Sequence, residues 1–423
     1  MDLFNIQSIL LILTFVIGYI FITLEHYTRI NKATVAILMA VICWAIEFTL
    51  PPEPGTSNAR FFEEHLSNVA QVVFFLMGAM TIVEIINVHQ GFNVITNAIQ
   101  IRSKKKLLWV LGIITFFLSA VLDNLTTTVV MVALLRRLID PGEERLLYGG
   151  TAVIAANAGG AWTPIGDVTT TMLWIGEQLS SMNIIKTLFL PSIVCLIIAL
   201  LYLQTKLKGD LPPLKQGRQE EEPFGRAVFF LGIGALMFVP VFRALTGLPP
   251  FMGILFGLGI LWLFTDLFHS KFEDRTHLRV PNVLSKIDLS GALFFLGILL
   301  CIDALDSAGL LEGLARFLDD KIGNVSMIAI AIGLASAVID NVPLVAATMG
   351  MYDLATYPTD HTLWTQIAFT AGTGGSILLI GSAAGVVFMG MEKVDFVWYL
   401  KRITVPALLG FLGGIGVYLL LFG

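Results

Sequence analysis

The sequence predicts an all-α integral membrane protein made of two inverted-topology repeats. Each repeat is expected to have five crossings, one of them a broken helix, plus one re-entrant hairpin. Three observations carry this expectation. The 423 residues are 56% hydrophobic and 13% charged, with mean hydropathy +0.83, whereas a soluble domain is about a quarter charged. Apolar stretches long enough to span about 30 Å of hydrocarbon as helices recur along the chain, and the strand alternation of a membrane barrel is absent. Finally, Ser119-Ala120-Val121-Leu122-Asp123-Asn124 returns as Ser336-Ala337-Val338-Ile339-Asp340-Asn341, 217 positions later. Each copy sets an acid and an amide inside apolar surroundings, where an uncompensated charge is expensive.

The first apolar run, Ile9 to Leu24, has no cationic region before it and no small-residue cleavage site after it, so it reads as a retained helix. Crossings follow at about 33–50 and 70–88, then a polar amphipathic stretch ending in Arg102-Ser103-Lys104-Lys105-Lys106. The apolar segment 107–139 is interrupted by Asp123-Asn124, 148–176 is Gly-rich and interrupted, and 184–204 is an uninterrupted helix. A charged linker, 205–226, separates the N-terminal repeat 1–204 from the C-terminal repeat 227–423. The second half repeats the order: 227–242, 250–268, 289–305, an interrupted 325–352, an interrupted 363–390 and a last helix at 398–422. Gly159-Gly160 and Gly166 match Gly374-Gly375 and Gly381 at an offset of 215, and Glu84 matches Asp303.

Charge decides between hairpins and paired crossings. With 107–139 and 325–352 as re-entrant hairpins, one side of the membrane holds only Arg60, Lys186, Arg243, Arg316 and Lys321. The other side holds the remaining 21 of the 26 Lys and Arg. So strong a bias makes the cation-rich side cytoplasmic and puts both termini outside. Five crossings is an odd number, so the repeats run in opposite senses. Asp123 and Asp340 would then meet near the midplane, where inverted-repeat transporters keep their substrate site.

At the tips, Asp-Asn precedes a half-helix in each copy, and Pro343 suits a first helical turn. Helix capping alone would account for the tips, although a neutral Ser or Thr could cap as well. The segment Asn157-Ala158-Gly159-Gly160-Ala161-Trp162-Thr163-Pro164-Ile165-Gly166-Asp167 cannot run as one helix, because Pro164 removes a donor and the glycines loosen the backbone. Unwinding there bares carbonyls, and Asn157, Asp167, Thr169 and Thr170 add side-chain oxygen. Its twin around Gly372 to Ser382 keeps glycines and hydroxyls without an acid. A hard cation wants such an oxygen-rich supply. The expected ion- and proton-binding set is Asp123, Asn124, Thr126, Asn157, Asp167, Thr169, Thr170, Ser336, Asp340, Asn341 and Ser376, with Na+ at Asp123, Asn124, Asn157, Asp340 and Asn341. Glu84 and Asp303, equivalent in the repeat, read equally as proton-path groups or as interfacial carboxylates. Glu47 and Asp266 lie near helix ends and read as solvated, as do the six loop histidines, and Cys43, Cys195 and Cys301 read as core residues without disulfide or metal spacing.

The two tip phrases, together with Asn157 to Asp167 and the following Val168-Thr169-Thr170, resemble NhaD-type sodium/proton antiporters of the ion transporter superfamily. That superfamily also holds arsenite permeases, citrate carriers and sodium-coupled dicarboxylate carriers. The resemblance covers nearly the whole chain. It implies a homodimer in the lipid bilayer, with a fixed scaffold and a moving transport domain of hairpins and broken helices that works as an elevator. It further implies exchange of cytoplasmic Na+ and Li+ for external H+, with no resident cofactor, no nucleic-acid partner and no enzymatic reaction. A bacterial inner membrane is the expected location.

Dicarboxylate carriers of the superfamily carry Ser-Asn-Thr at both tips, whereas this chain has Asp-Asn-Leu and Asp-Asn-Val. Two carboxylates there would repel an anion. No cationic residue stands in the tip or break sequences to favour the rival reading, permeation of arsenite or an organic anion. An intramembrane aspartyl protease would use paired acids in a Gly-x-Gly-Asp phrase, but Asp167 follows Pro164-Ile165-Gly166, which lacks the first glycine.

Overall fold

A computed structural model describes residues 6–23, 25–49, 58–99, 101–211, 222–270 and 272–423. The linker charges Lys215, Arg218, Glu220 and Glu221 lie outside the described residues, as do Lys271 and the side chains of His26 and Arg60. Among the described residues the chain is helical, with one isolated bridge, between Ser103 and Asp210.

The first half opens with α1 (Ile6–Thr23), the single turn α2 (Glu25–Thr28) and α3 (Lys32–Phe48). Asn31 caps α3, its side chain accepting from the N–H of Ala33 at 2.8 Å. Next comes α4 (Asn58–Val88), which begins well before the expected residue 70. The polar stretch from Asn58 holds no glycine or proline that would stop a helix. After the short α5 (Asn93–Ala98) come α6 (Lys104–Ser119) and α7 (Asn124–Leu138), two half-helices that meet at Asp123. A second interrupted pair, α8 (Glu143–Gly160) and α9 (Val168–Ile175), precedes the long α10 (Ser181–Leu203). The break thus falls at 161–167, and Gly159 and Gly160 end α8 rather than lying in the unwound stretch.

The second half runs α11 (Gly225–Thr246), α12 (Pro250–His269), the short α13 (Val280–Val283) and α14 (Leu289–Ser307). Then comes α15 (Leu310–Ile322), an amphipathic helix that the hydropathy reading did not separate. It buries Leu310, Leu311 and Ala315 and exposes Glu312 and Arg316. The half-helices α16 (Val325–Ala335) and α17 (Asn341–Met351) meet at Asp340, and α18 (Thr362–Gly374) and α19 (Ala383–Glu392) flank the second break. The final helix, expected as one piece, is split into α20 (Phe396–Arg402) and α21 (Thr404–Phe422).

Among the described residues, seven helices are long and apolar enough to cross a membrane: Ile6–Thr23, Phe61–Val88, Ser181–Lys206, Gly225–Thr246, Pro250–His269, Leu289–Ser307 and Thr404–Phe422. On α11 and α12, Phe230, Met237, Leu263 and Leu267 are exposed, a surface suited to lipid rather than water. The protein is an integral, multi-pass membrane protein.

Helix pairs recur between the halves. The α6–α8 packing returns as α16–α18, α1–α3 as α11–α12, α4–α12 as α14–α3, and α7–α19 as α17–α9. Close approach is set by glycine. A Cβ on Gly159 would lie 2.2 Å from the Phe116 carbonyl oxygen, and one on the equivalent Gly374 would lie 2.0 Å from that of Gly333. These glycines let each tip-forming half-helix lie directly on its broken helix, the close-packing role that glycine plays between membrane helices. Serine hydroxyls fasten the same contacts: Ser119 donates to the Ala156 carbonyl at 2.7 Å and Ser336 to that of Ala371 at 2.8 Å.

Candidate ion-binding site

Both tip acids cap the half-helices that follow them. The Asp123 carboxylate accepts from the Thr126 N–H at 2.7 Å and from its hydroxyl at 2.6 Å. Asp340 accepts from the Val342 N–H at 3.2 Å. Capping satisfies backbone donors that a helix start would leave unpaired, and it aims Asn124 and Asn341, the first residues of α7 and α17, inward. Both amides are buried.

They converge on Asp167. Asn124 Nδ2 donates to Asp167 Oδ2 at 2.8 Å and to Asn157 Oδ1 at 2.9 Å. From the other half, Asn341 Nδ2 donates to the same Asp167 oxygen at 3.4 Å. The second Asp167 oxygen accepts from both the N–H and the hydroxyl of Thr169 at 3.0 Å, which makes Asp167 the cap of α9. Asn157 completes the chain by donating to the hydroxyls of Ser376 and Ser382 at 2.9 Å each. Residues from both tips and both breaks therefore form one buried polar network. Its members satisfy one another, the condition under which buried polar groups are tolerated.

The structure places the expected residues unevenly. Asn124, Asn157, Asp167, Thr169, Asn341 and Ser376 sit in the network. Thr126 turns its hydroxyl to Asp123, Ser336 to the Ala371 carbonyl, and Thr170 to the Asp167 carbonyl at 2.9 Å. Glu84 and Asp303 bond elsewhere, with Asn87 at 3.1 Å and His65 at 3.1 Å. Ser382 is a member that the sequence reading passed over. Its position, 215 after Asp167, marks it as that acid's twin, and it caps α19 as Asp167 caps α9.

Three further expectations are corrected. Among the histidines, His89 and His269 are buried and face each other at 3.0 Å where α4 and α12 end side by side. His65 pairs with Asp303, and His361 caps α18. Glu47 is buried, holding Gln7 at 2.7 Å and Ser307 at 3.2 Å, because the end of α3 packs along α14 rather than ending in solvent. A cation does reach a tip, for Lys32 Nζ lies 3.9 Å from Asp340 Oδ2. It comes from α3, far away in sequence. The cysteines are buried as expected, with Cys43 and Cys301 3.5 Å apart, sulfur to sulfur.

Beside the network lies a cavity of about 40 Å³. Asp123, Asn124, Asp167 and Thr171 line it, together with apolar residues that include Phe75 and Phe295. Its volume suits a small ion with a water or two, whereas pockets for organic ligands run to about 300–1,000 Å³. Two carboxylates facing so small a space favour a cation.

Comparison with known proteins gives the family. Residues 19–372 match a family described as citrate transporter. Sodium/proton antiporter 2 of Arabidopsis thaliana is 54% identical over 96% of this chain and 98% of its own length. Sodium/proton antiporter 1 of the same plant is 54% identical over 98% of this chain and 72% of its own. The Na(+)/H(+) antiporter NhaD of Vibrio cholerae is 30% identical over 97% of this chain and 91% of its own. With the family matched over residues 19–372, and relatives of this kind matched over 96–98% of this chain, the chain belongs to the citrate-transporter family and to the NhaD-type members of the ion transporter superfamily.

Proposed function

We propose that this protein is a secondary antiporter that exchanges cytoplasmic Na+, and Li+, for external H+. The observation that carries the reading is the Asp167 carboxylate, bridged by Asn124 and Asn341 from the two tips beside an ion-sized cavity that Asp123 also lines. A carboxylate can hold a cation or a proton but gains little from both, so the two ions compete for one set of oxygens. Acids this close titrate together, so no single residue owns the transported proton. The names of the plant and Vibrio relatives support the same exchange.

The repeats are read as inverted, with α6–α7 and α16–α17 as re-entrant hairpins. The supporting observations are the recurring helix pairs and the bias of positive charge to one side. In this reading the hairpins and broken helices move as an elevator domain against the other helices of a homodimer. Relatives in both a plant and bacteria leave the bacterial inner membrane as one location among others.

The family description favours a second reading, transport of an organic anion such as citrate. The facing carboxylates and the small cavity weigh against it. Proteoliposomes carrying a pH dye separate the two. Na+ and Li+ should collapse a preformed pH gradient, while K+, arsenite, succinate and citrate should not. Asp123→Asn and Asp340→Asn should lose this flux yet remain folded, because an amide still caps a half-helix. Flux driven only by an anion, or full Na+-driven flux in both variants, would overturn the proposal.

A further inference from the structure

The two tip acids have different neighbours. Asp123 faces the small cavity. Asp340 faces Lys32 at 3.9 Å, and its N–H donates to the Tyr19 hydroxyl at 3.0 Å. The Lys32 ammonium also lies over the Phe294 ring, 4.3 Å from its centroid, a placement that attracts a cation. Its position is fixed from below. Lys32 is the first residue of α3, with Asn31 capping that helix and the Lys32 N–H bonded to Glu25 at 3.2 Å. In the repeat, α12 stands where α3 does and begins at Pro250, so the first tip has no counterpart of this lysine. The ammonium is 26% exposed and the Asp340 carboxylate 18%, so the pair is half-sheltered rather than sealed.

We infer that Lys32 is a tethered cation that occupies Asp340 and competes with the transported ion for it. Tyr19, Lys32 and Phe294 all lie outside the hairpins and broken helices, whereas Asp340 lies at a hairpin tip. The ion pair therefore bridges the two bodies that the elevator reading moves past one another. While Lys32 holds Asp340, that carboxylate is neutralised without Na+, and the incoming ion has the Asp123 and Asp167 oxygens to bind. Na+ recruits Asp340 only by displacing the ammonium. Lys32 is thus a specificity- and affinity-setting residue for the exchange. The lysine donates no proton in this scheme; the competition is between two positive charges for one carboxylate.

This inference rests on the antiport reading, and the test keeps their failures apart. Purified Lys32→Met, Lys32→Arg and wild-type protein are compared for Na+-driven proton flux and for the Na+ concentration that half-saturates thermal stabilisation. Lys32→Met should lower both half-saturating concentrations by roughly tenfold, within the range usual for two ligands coupled through one group. Lys32→Arg, which keeps the cation, should stay near wild type. As a check independent of folding, Lys32→Cys is purified, assayed, and then aminoethylated with bromoethylamine, which restores an ammonium at the same length. The native cysteines are buried and should remain unmodified. Sodium affinity should be high before the reaction and fall to the wild-type value after it. If wild-type protein shows Na+-driven flux but Lys32→Met and unmodified Lys32→Cys match it in Na+ affinity, the tethered-cation role is wrong and antiport stands. If the wild type shows no such flux, the antiport reading fails first.

Discussion

Replacing Asp167 with asparagine tests the network where its hydrogen-bond directions are fixed. One oxygen of Asp167 accepts from the N–H and hydroxyl of Thr169, and the other accepts from two amides, Asn124 at 2.8 Å and Asn341 at 3.4 Å. In Asp167→Asn, an oxygen kept toward Thr169 turns the new NH2 group onto two other NH2 groups. Flipping Asn124 and Asn157 together restores part of the chain, since the Ser376 and Ser382 hydroxyls can donate as well as accept. Asn341 still loses its acceptor. A buried donor left unpaired costs about 1–3 kcal/mol. Removing a carboxylate from a sheltered site offsets some of this, but the same relief applies to Asp123→Asn. There the Thr126 hydroxyl simply rotates to accept from the new amide, and the cap survives. The two variants therefore differ mainly by the orphaned donor. Thermal unfolding in detergent without Na+ should place the Asp167→Asn midpoint below that of Asp123→Asn by a few degrees. Each kcal/mol moves the midpoint by about 2–4 °C in chains of 150–250 residues and by less in longer ones. Equal midpoints, or Asp167→Asn as the more stable of the two, would refute the claim that Asp167 is the shared acceptor of both tips.

Gly159→Ala and Gly374→Ala should each destabilise by about 1–3 kcal/mol through overpacking, read as lower melting midpoints, since their Cβ atoms would sit 2.2 and 2.0 Å from carbonyl oxygens. Gly234→Ala, with nothing within 4 Å of the added carbon, is the control and should be unchanged. For topology, Lys208→Cys should react with a membrane-impermeant thiol reagent only from the cytoplasm and Ala355→Cys only from outside; both positions are exposed, and labelling from one common side would remove the inverted arrangement. In the loop after α17, the N–H and hydroxyl of Thr356 hold the Asp353 carboxyl below the ordinary carboxylate range. Such a group stabilises the fold above its unfolded pKa and loses that contribution as pH falls through the folded one. The melting difference between wild type and Asp353→Asn should therefore be present at pH 6 and vanish in strong acid.

The duplicated phrases made the skeleton legible, because glycine, proline and a buried acid are each hard to place by chance in an apolar segment. Ser382, 215 positions after Asp167, escaped even so, because a serine among many carries little signal by itself. What sequence spacing could not show was which side chains from distant elements come together. Lys32 is more than 300 positions from Asp340, His89 is 180 positions from His269, and Glu47 is 260 positions from Ser307. In each case a residue near a helix end reads as solvated until another helix end is packed against it. The extension of α4 back to Asn58 escaped for a related reason. Hydropathy marks where a helix is apolar, whereas the backbone continues until a stop signal arrives.

The bonds also divide the helices into two sets, and that division supports the elevator reading. Within one set, Asn157 reaches from the first break to Ser376 and Ser382 in the second, and Asn341 reaches from the second tip to Asp167 in the first break. Serine staples then fix each tip-forming pair to its own broken helix. Neither half can shift without rupturing the network that would hold the ion, so in the proposed mechanism the two hairpins and two broken helices would move as one body. Tyr399 and Thr404 tie α20 and α21 to this body, donating to the Ser376 and Ile377 carbonyls at 2.8 and 2.7 Å, whereas its polar links to α1, α3 and α11 are of another kind. The Tyr19 hydroxyl and Lys32 meet the tip at Asp340, and Arg243 donates to the Trp174 carbonyl at 2.6 Å. In the proposed elevator motion each would be exchanged for water or an ion. A site built entirely inside the mobile part can carry its cation with it, while contacts at the boundary register which position it occupies. Lys32 stands at that boundary, touching the one tip acid that the small cavity leaves out.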